Sequence, residues 1–99
     1  MRPRVSWMSE TDIAILEFLD KLGDVDGERV VAPPRFVHEN LVEQMKVVQK
    51  SETTISRRMK KLADNDLLEK MEDSRGSYYR MTQLGEDYLA GNVDADELE

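Results

Sequence analysis

Ile55, Met59 and Leu62 recur at i, i+4 and i+7 within the stretch SETTISRRMKKL. At a helical 100° per residue they fall within about 60° of arc, so the segment is predicted to be a helix that offers a narrow stripe to a core. Ser51 stands where an N-cap belongs, and Glu52 suits the positive helix end. Directly opposite the stripe is Arg57, with Thr53, Lys60 and Lys61 to either side and Thr54, Ser56 and Arg58 on the flanks. The stripe holds the helix to the domain, and everything else on it faces outward.

That outward face is basic in an acidic chain. The formal net charge is −7, yet Lys46–Ala63 holds six bases and one acid, a local net of +5 against −12 for the remainder. Such a distribution lets one face meet a polyanion while the rest repels it. Lysines and arginines that merely solvate a helix are the ordinary explanation of such a strip. The order of the surrounding elements decides against it here.

At 99 residues the chain is one small domain with little room for an enclosed active site. It has no cysteine, so neither a disulfide framework nor a thiolate metal site is expected. No apolar run approaches the roughly 18 residues of a membrane span, and the first ten residues contain no signal-peptide core. These features point to the cytoplasm. No phosphate-cradling glycine loop, metal cluster or nucleophile with an adjacent base is present, so no enzyme, cofactor, metal or small-molecule ligand is expected. Asp24, Asp26 and Glu28 alternate like part of a calcium loop, but the remaining ligand spacing is absent. His38, the single histidine, reads as a surface residue.

The first helix is predicted from Ser9 as N-cap, with Asp12 three residues on, to Gly23. Its apolar arc of Ala14, Ile15, Leu16, Phe18, Leu19 and Leu22 is broad enough for cover on two sides. A loop follows, with a short edge strand at ERVV. Pro34 suits a first helical position, and the second helix runs towards Met45 with Val37 and Leu41 inward. The helix at 51–64 comes third. Leu67 to Met71 and Tyr78 to Met81 are strands, and the EDSRGS between them has hairpin-turn chemistry around Gly76. Thr82 caps a short last helix that stops near Gly91, with Leu84, Tyr88 and Leu89 inward. Residues 91–99 are an acidic tail expected to be disordered.

Three helices, a hairpin and a short helix make a mainly α fold with a small β-hairpin: a winged helix-turn-helix with a three-helix core and a two-stranded wing at 72–77, in one domain, 1–90. In that arrangement the third helix enters the major groove of double-stranded DNA, and the wing reaches the adjacent backbone or minor groove. Arginine pairs bidentately with guanine, and threonine bonds a base or touches a thymine methyl. Lys50, Ser51 and Thr54 lie near the helix start, where phosphate contacts are expected.

The residues ETTISRRMKKLADNDLLEK, then a hairpin, then YRMTQLGEDYL, resemble the winged-helix transcription regulators of archaea and bacteria. The start WMSETDIAILEFL and the end DADELE resemble more specifically the phage-repressor-type winged-helix proteins of haloarchaea. The resemblance covers about residues 7 to 90 and implies DNA binding, as a homodimer, usually to repress. Carried over by position, Thr53, Thr54, Ser56, Arg57 and Arg58 fall in the recognition helix and Arg75 at the wing tip. With Lys50, Ser51, Lys60 and Lys61 they form the expected DNA-binding set. The alternative is a winged-helix protein–protein interaction module without DNA binding, with Trp7, Met8 and Ile13 as an apolar patch. For a dimer, Trp7, Ile13 and Tyr88 are the expected bare apolar surface. Two departures from the family pattern stand out. Asp66 holds the place of a glycine after the third helix, and the link at 43–50 is longer than the usual turn. The acidic remainder would suit a high-salt cytoplasm.

Overall fold

The computed structural model describes residues 4–99. Helix α1 spans Glu10–Leu22 and begins in a capping box: the Asp12 amide donates to Ser9 Oγ, and the Ser9 amide donates to the Asp12 carboxylate. Gly23 ends it in the left-handed region, at φ 69°. Ile15, Leu16 and Leu19 are buried, and the helix packs against the third helix, the last helix and the larger hairpin. Its broad arc is thus covered on more than one side.

Strands β1 (Asp24–Val25) and β2 (Glu28–Arg29) form a small hairpin where the sequence predicts a loop and then a strand. The cause is the Asp26-Gly27 turn, with φ of 52° and 82°, the aspartate-glycine pair favoured in two-residue hairpin turns. Of the expected ERVV strand, only Glu28 and Arg29 pair in this hairpin; Ala32 instead pairs with Tyr79 through both backbone hydrogen bonds, at 2.8 and 2.9 Å.

Helix α2 starts at Pro34 and is α-helical to His38, then widens to a π-helical stretch over Glu39–Gln44. The wider turn ends at Lys46, whose φ is 57°. Beyond it the chain doubles back, and the Val47 and Val48 amides both donate to the Leu41 carbonyl, at 3.0 and 3.3 Å. Val48 is buried. The long link is therefore tied to the end of α2, with a core anchor of its own.

Helix α3 spans Glu52–Asp64, with Ser51 Oγ accepting from the Thr54 amide at 3.1 Å. Ile55, Met59 and Leu62 are fully buried, as the stripe predicts. The helix ends in a Schellman motif: the Leu67 amide donates to Leu62 O at 3.0 Å and the Asp66 amide to Ala63 O at 3.0 Å. Asp66 occupies the left-handed position at φ 64°. Aspartate thus takes the place of glycine by adopting the conformation glycine usually provides.

Strands β3 (Leu68–Asp73) and β4 (Gly76–Met81) form the second hairpin, paired in register from Leu68 with Met81 to Asp73 with Gly76. Helix α4 (Gln83–Leu89) is capped by Thr82, which accepts from the Gly85 amide at 3.0 Å. The Thr82 hydroxyl also lies 2.7 Å from the Asp66 carbonyl and 3.0 Å from that of Leu67, tying α4 to the end of α3. Gly85 permits the approach, because a Cβ there would stand 2.5 Å from the Leu67 carbonyl oxygen.

The tail is packed, contrary to the expected disorder. Val93 and Leu98 are buried, and Ala95–Glu97 form a 3-10 turn. Val93, Ala95 and Leu98 meet the core between acids that stay in water.

Candidate nucleic-acid interface

On α3, Thr53, Arg57 and Lys60 are exposed, as is Lys50 just before it. Among the described residues no acid pairs with Lys50, Arg57 or Lys60. Three arginines elsewhere are neutralised, whereas Arg4 and Arg35 have no acid partner among the described residues. Arg29 pairs with Asp24 and Glu86, Arg80 with Glu69 and Glu28, and Arg75 with Asp73. The bases on the outward face of α3 thus keep their charge available.

Arg58 is different. Its Nε and Nη2 grip Asp12 Oδ1 and Oδ2 at 2.8 and 2.6 Å, and Nη2 also donates to the Trp7 carbonyl at 3.0 Å. Asp12 is fully buried. Hydrogen bonds to the Asp12 carboxylate, aided by its charge, hold the guanidinium above its ordinary pKa against the opposing effect of burial. Nε and Nη2 of Arg58, expected as a DNA contact, are thus engaged within the domain, while the side chain stays 29% exposed. Lys61 is partly engaged as well: its Nζ lies 5.6 Å from the centre of the Trp7 ring, a cation–π distance.

The remaining expected residues divide by position. Ser51 is spent on capping, and its hydroxyl lies 3.1 Å from Thr54 Oγ1. Ser56 is half-buried. Lys50, Thr54 and Arg58 line a shallow cleft together with Trp7, Ser9 and Thr11, so the start of α1 borders the basic face. Arg75 projects from the β3–β4 turn, 76% exposed. It donates to Asp73 through Nη2 at 2.7 Å and stacks 5.6 Å from the Tyr78 ring. The Arg75 side chain and amide hold the Asp73 carboxyl below its ordinary pKa. The hairpin tip is therefore electrically balanced rather than basic.

Sequence reasoning missed Asp12 as the partner of Arg58 and Trp7 as a contact of α3. Asp12 reads as a capping residue from its spacing to Ser9, and nothing local signals a partner 46 residues away. The expected apolar surface at Trp7, Ile13 and Tyr88 is also absent: Tyr88 is buried, and Trp7 and Ile13 are half-buried against the core. The exposed large apolar side chains lie elsewhere, with Phe36 at 44%, Met45 at 53% and Val47 at 65%. Met45 and Val47 line a groove with Ala14, Phe18 and Leu22 of α1, and Phe36 meets Phe18 at a ring separation of 5.9 Å.

Among the described residues no helix is long and apolar enough to cross a membrane. Asp24 and Glu28 of the small hairpin pair with arginines, and no group of three potential ligands is placed to hold a metal ion among the described residues.

A family model for the winged helix-turn-helix phage repressor matches residues 1–99. The chain is 32% identical to the repressor protein of Halobacterium phage phiH over 99 residues, which cover 100% of this chain and 98% of that protein. No solved structure matches.

Proposed function

Because the chain belongs to the winged helix-turn-helix phage repressor family, we propose that it is a repressor that binds a specific double-stranded DNA sequence, with α3 in the major groove and the β3–β4 turn on the adjacent backbone or minor groove. The observation that carries the reading is the concentration of unpaired bases on the outward face of α3, in a protein whose net charge is −7 and in which Arg29, Arg75 and Arg80 are matched by acids. Leaving Lys50, Arg57 and Lys60 without acidic partners has no structural benefit, but a polyanion would supply those partners. Arg57 points away from the buried stripe and is the natural base reader; Thr53 and Lys60 flank it. Lys50 and Thr54, at the helix start, suit phosphate.

The reading includes a homodimer, which would read inverted half-sites about one helical turn apart. The groove beside Phe18 supplies apolar surface for a second copy. An acidic body also suits a high-salt cytoplasm, where counterion release contributes less and directional base contacts must contribute more.

Selection of a preferred duplex from a random pool at two salt concentrations tests the function. Enrichment of one sequence family that persists at the higher salt is the expected result. Equal, salt-sensitive binding of all duplexes would leave only non-specific affinity. No duplex binding at low salt would favour a protein-interaction module.

A further inference from the structure

Trp7 touches both halves of an arrangement that local sequence does not connect. Its carbonyl accepts from Arg58 Nη2 at 3.0 Å, and its ring lies beneath Lys61 Nζ at 5.6 Å. Arg58 and Lys61 are three residues apart, so they stand one above the other on one side of α3. The indole N–H of Trp7 donates to the Leu98 carbonyl at 2.6 Å. One residue earlier, the Ser6 amide donates to the Glu99 carboxylate at 2.6 Å, and the Ser6 hydroxyl donates to the same group. Leu98 and Val5, which flank these contacts, are buried. The segment 93–99 thus clamps the segment 5–7, and that segment grips the side of α3.

We propose that Trp7, held by the segment 93–99, is a positioning residue for the DNA-reading helix. This rests on the reading of α3 as the element in the groove. A helix held by a stripe as narrow as Ile55, Met59 and Leu62 is fixed along its buried edge but can roll about it. Two side contacts to Trp7, together with the grip of Arg58 on Asp12, set that roll. The direction of Arg57 and Lys60 follows, because they stand on the same rigid helix. A bidentate contact to a base edge is directional and is worth on the order of tenfold to a hundredfold in discrimination, which is lost when the side chain is displaced. A modest roll would therefore weaken the preferred sequence more than bulk phosphate attraction, which tolerates displacement.

The test uses the full chain with Trp7→Ala, Trp7→Phe and Leu98→Ser. Each is measured for thermal midpoint and for affinity to the selected duplex and a scrambled duplex at matched salt. Trp7→Ala is expected to cut the ratio of the two affinities by on the order of tenfold while scrambled binding changes little. Both variants keep the backbone acceptor for Arg58; Trp7→Phe also keeps a ring for Lys61 but loses the indole N–H to Leu98, so a ratio between those of Trp7→Ala and wild type is expected. Leu98→Ser releases the clamp with Trp7 intact, and a reduced ratio is expected there too. If Trp7→Ala fails to fold, the Leu98→Ser result decides. A lowered thermal midpoint with an unchanged affinity ratio in the folded variants overturns the proposal and leaves the contacts merely structural. Wild-type protein without any duplex preference removes the DNA reading and the proposal together.

Discussion

Arg58 of the third helix holds both carboxylate oxygens of Asp12 on the first helix, at 2.8 and 2.6 Å, and Asp12 has no exposed surface. Asp12 also completes the capping box with Ser9, so one buried carboxylate caps the start of α1 and anchors α3. Arginine suits this role because its planar fork matches a carboxylate, which the single charged head of lysine does not.

Adjacent arginines should therefore fail in different ways. Arg58→Ala leaves a buried carboxylate without its partner and is expected to cost about 3–5 kcal/mol of stability. Arg57→Ala should leave the thermal midpoint unchanged, cost about 1–3 kcal/mol on the preferred duplex and flatten discrimination at one or two base positions. Denaturation and duplex titration of both variants measure the contrast. Equal thermal midpoints for the two variants would contradict the assignment of Arg58.

At the tip of the second hairpin, Asp73 already neutralises Arg75. Asp73→Asn should free the guanidinium for phosphate, tighten binding to every duplex alike and steepen the salt dependence. Arg75→Ala should weaken all duplexes and lower the salt slope by about 1 per half-site. Binding across a salt series reads both. A change confined to the preferred sequence would instead make Arg75 a base reader.

Two backbone sites predict opposite effects on stability. Asp66 adopts φ 64° without a glycine's freedom, so Asp66→Gly is expected to gain about 0.5–1 kcal/mol. Gly85→Ala would press a methyl against the Leu67 carbonyl oxygen and should cost about 1–3 kcal/mol. Urea titration monitored by circular dichroism resolves both. If Gly85→Ala were neutral, α4 would have to sit more loosely on the end of α3 than its hydrogen bonds indicate.

The proposed homodimer would use the apolar groove. Val47→Asp and Phe36→Glu place charges at its edge without removing a core side chain, and each should shift the wild-type dimer towards monomer in light scattering at molar salt. Half-site binding should survive, with the cooperativity of the full site lost. A wild type that is monomeric at high micromolar concentration would exclude the dimer.

Acid should release the tail before it unfolds the domain. Hydrogen bonds from the Ser6 hydroxyl and amide hold the Glu99 carboxyl below its ordinary pKa of 4.5. A depressed pKa means that this contact contributes fully above the unfolded value and is lost as pH falls through the folded one. Trp7 is the single tryptophan and bonds the neighbouring residue Leu98, so its emission reports the release directly. The expected result is a red shift below about pH 4.5 that precedes loss of helical circular dichroism. Coincident transitions would show that the clamp does not open on its own.

Features with a local cause were legible in the chain itself. Ser9, Ser51 and Thr82 cap their helices because a hydroxyl beside the first turn satisfies backbone donors whatever surrounds it. The buried stripe of α3, its outward Arg57 and the hairpin around Gly76 follow from helical and strand periodicity. The small hairpin at Asp26-Gly27 reads as a loop in the sequence, although that dipeptide is a turn signal that could have revealed it. What only the tertiary structure decided is the division of the basic strip. Arg57 and Arg58 are neighbours of identical chemistry, 100° apart on one helix; periodicity sets Arg57 outward and Arg58 on a flank, but it does not say what the flank meets. One turns to water and the other to a buried aspartate 46 residues earlier. The tail likewise reads as acidic and loose, because its two anchors, Val93 and Leu98, gain stability only from the core and the indole they meet in three dimensions. Burial and ion pairing depend on which distant residues share a place, and that is a property of the packed chain rather than of any segment in it.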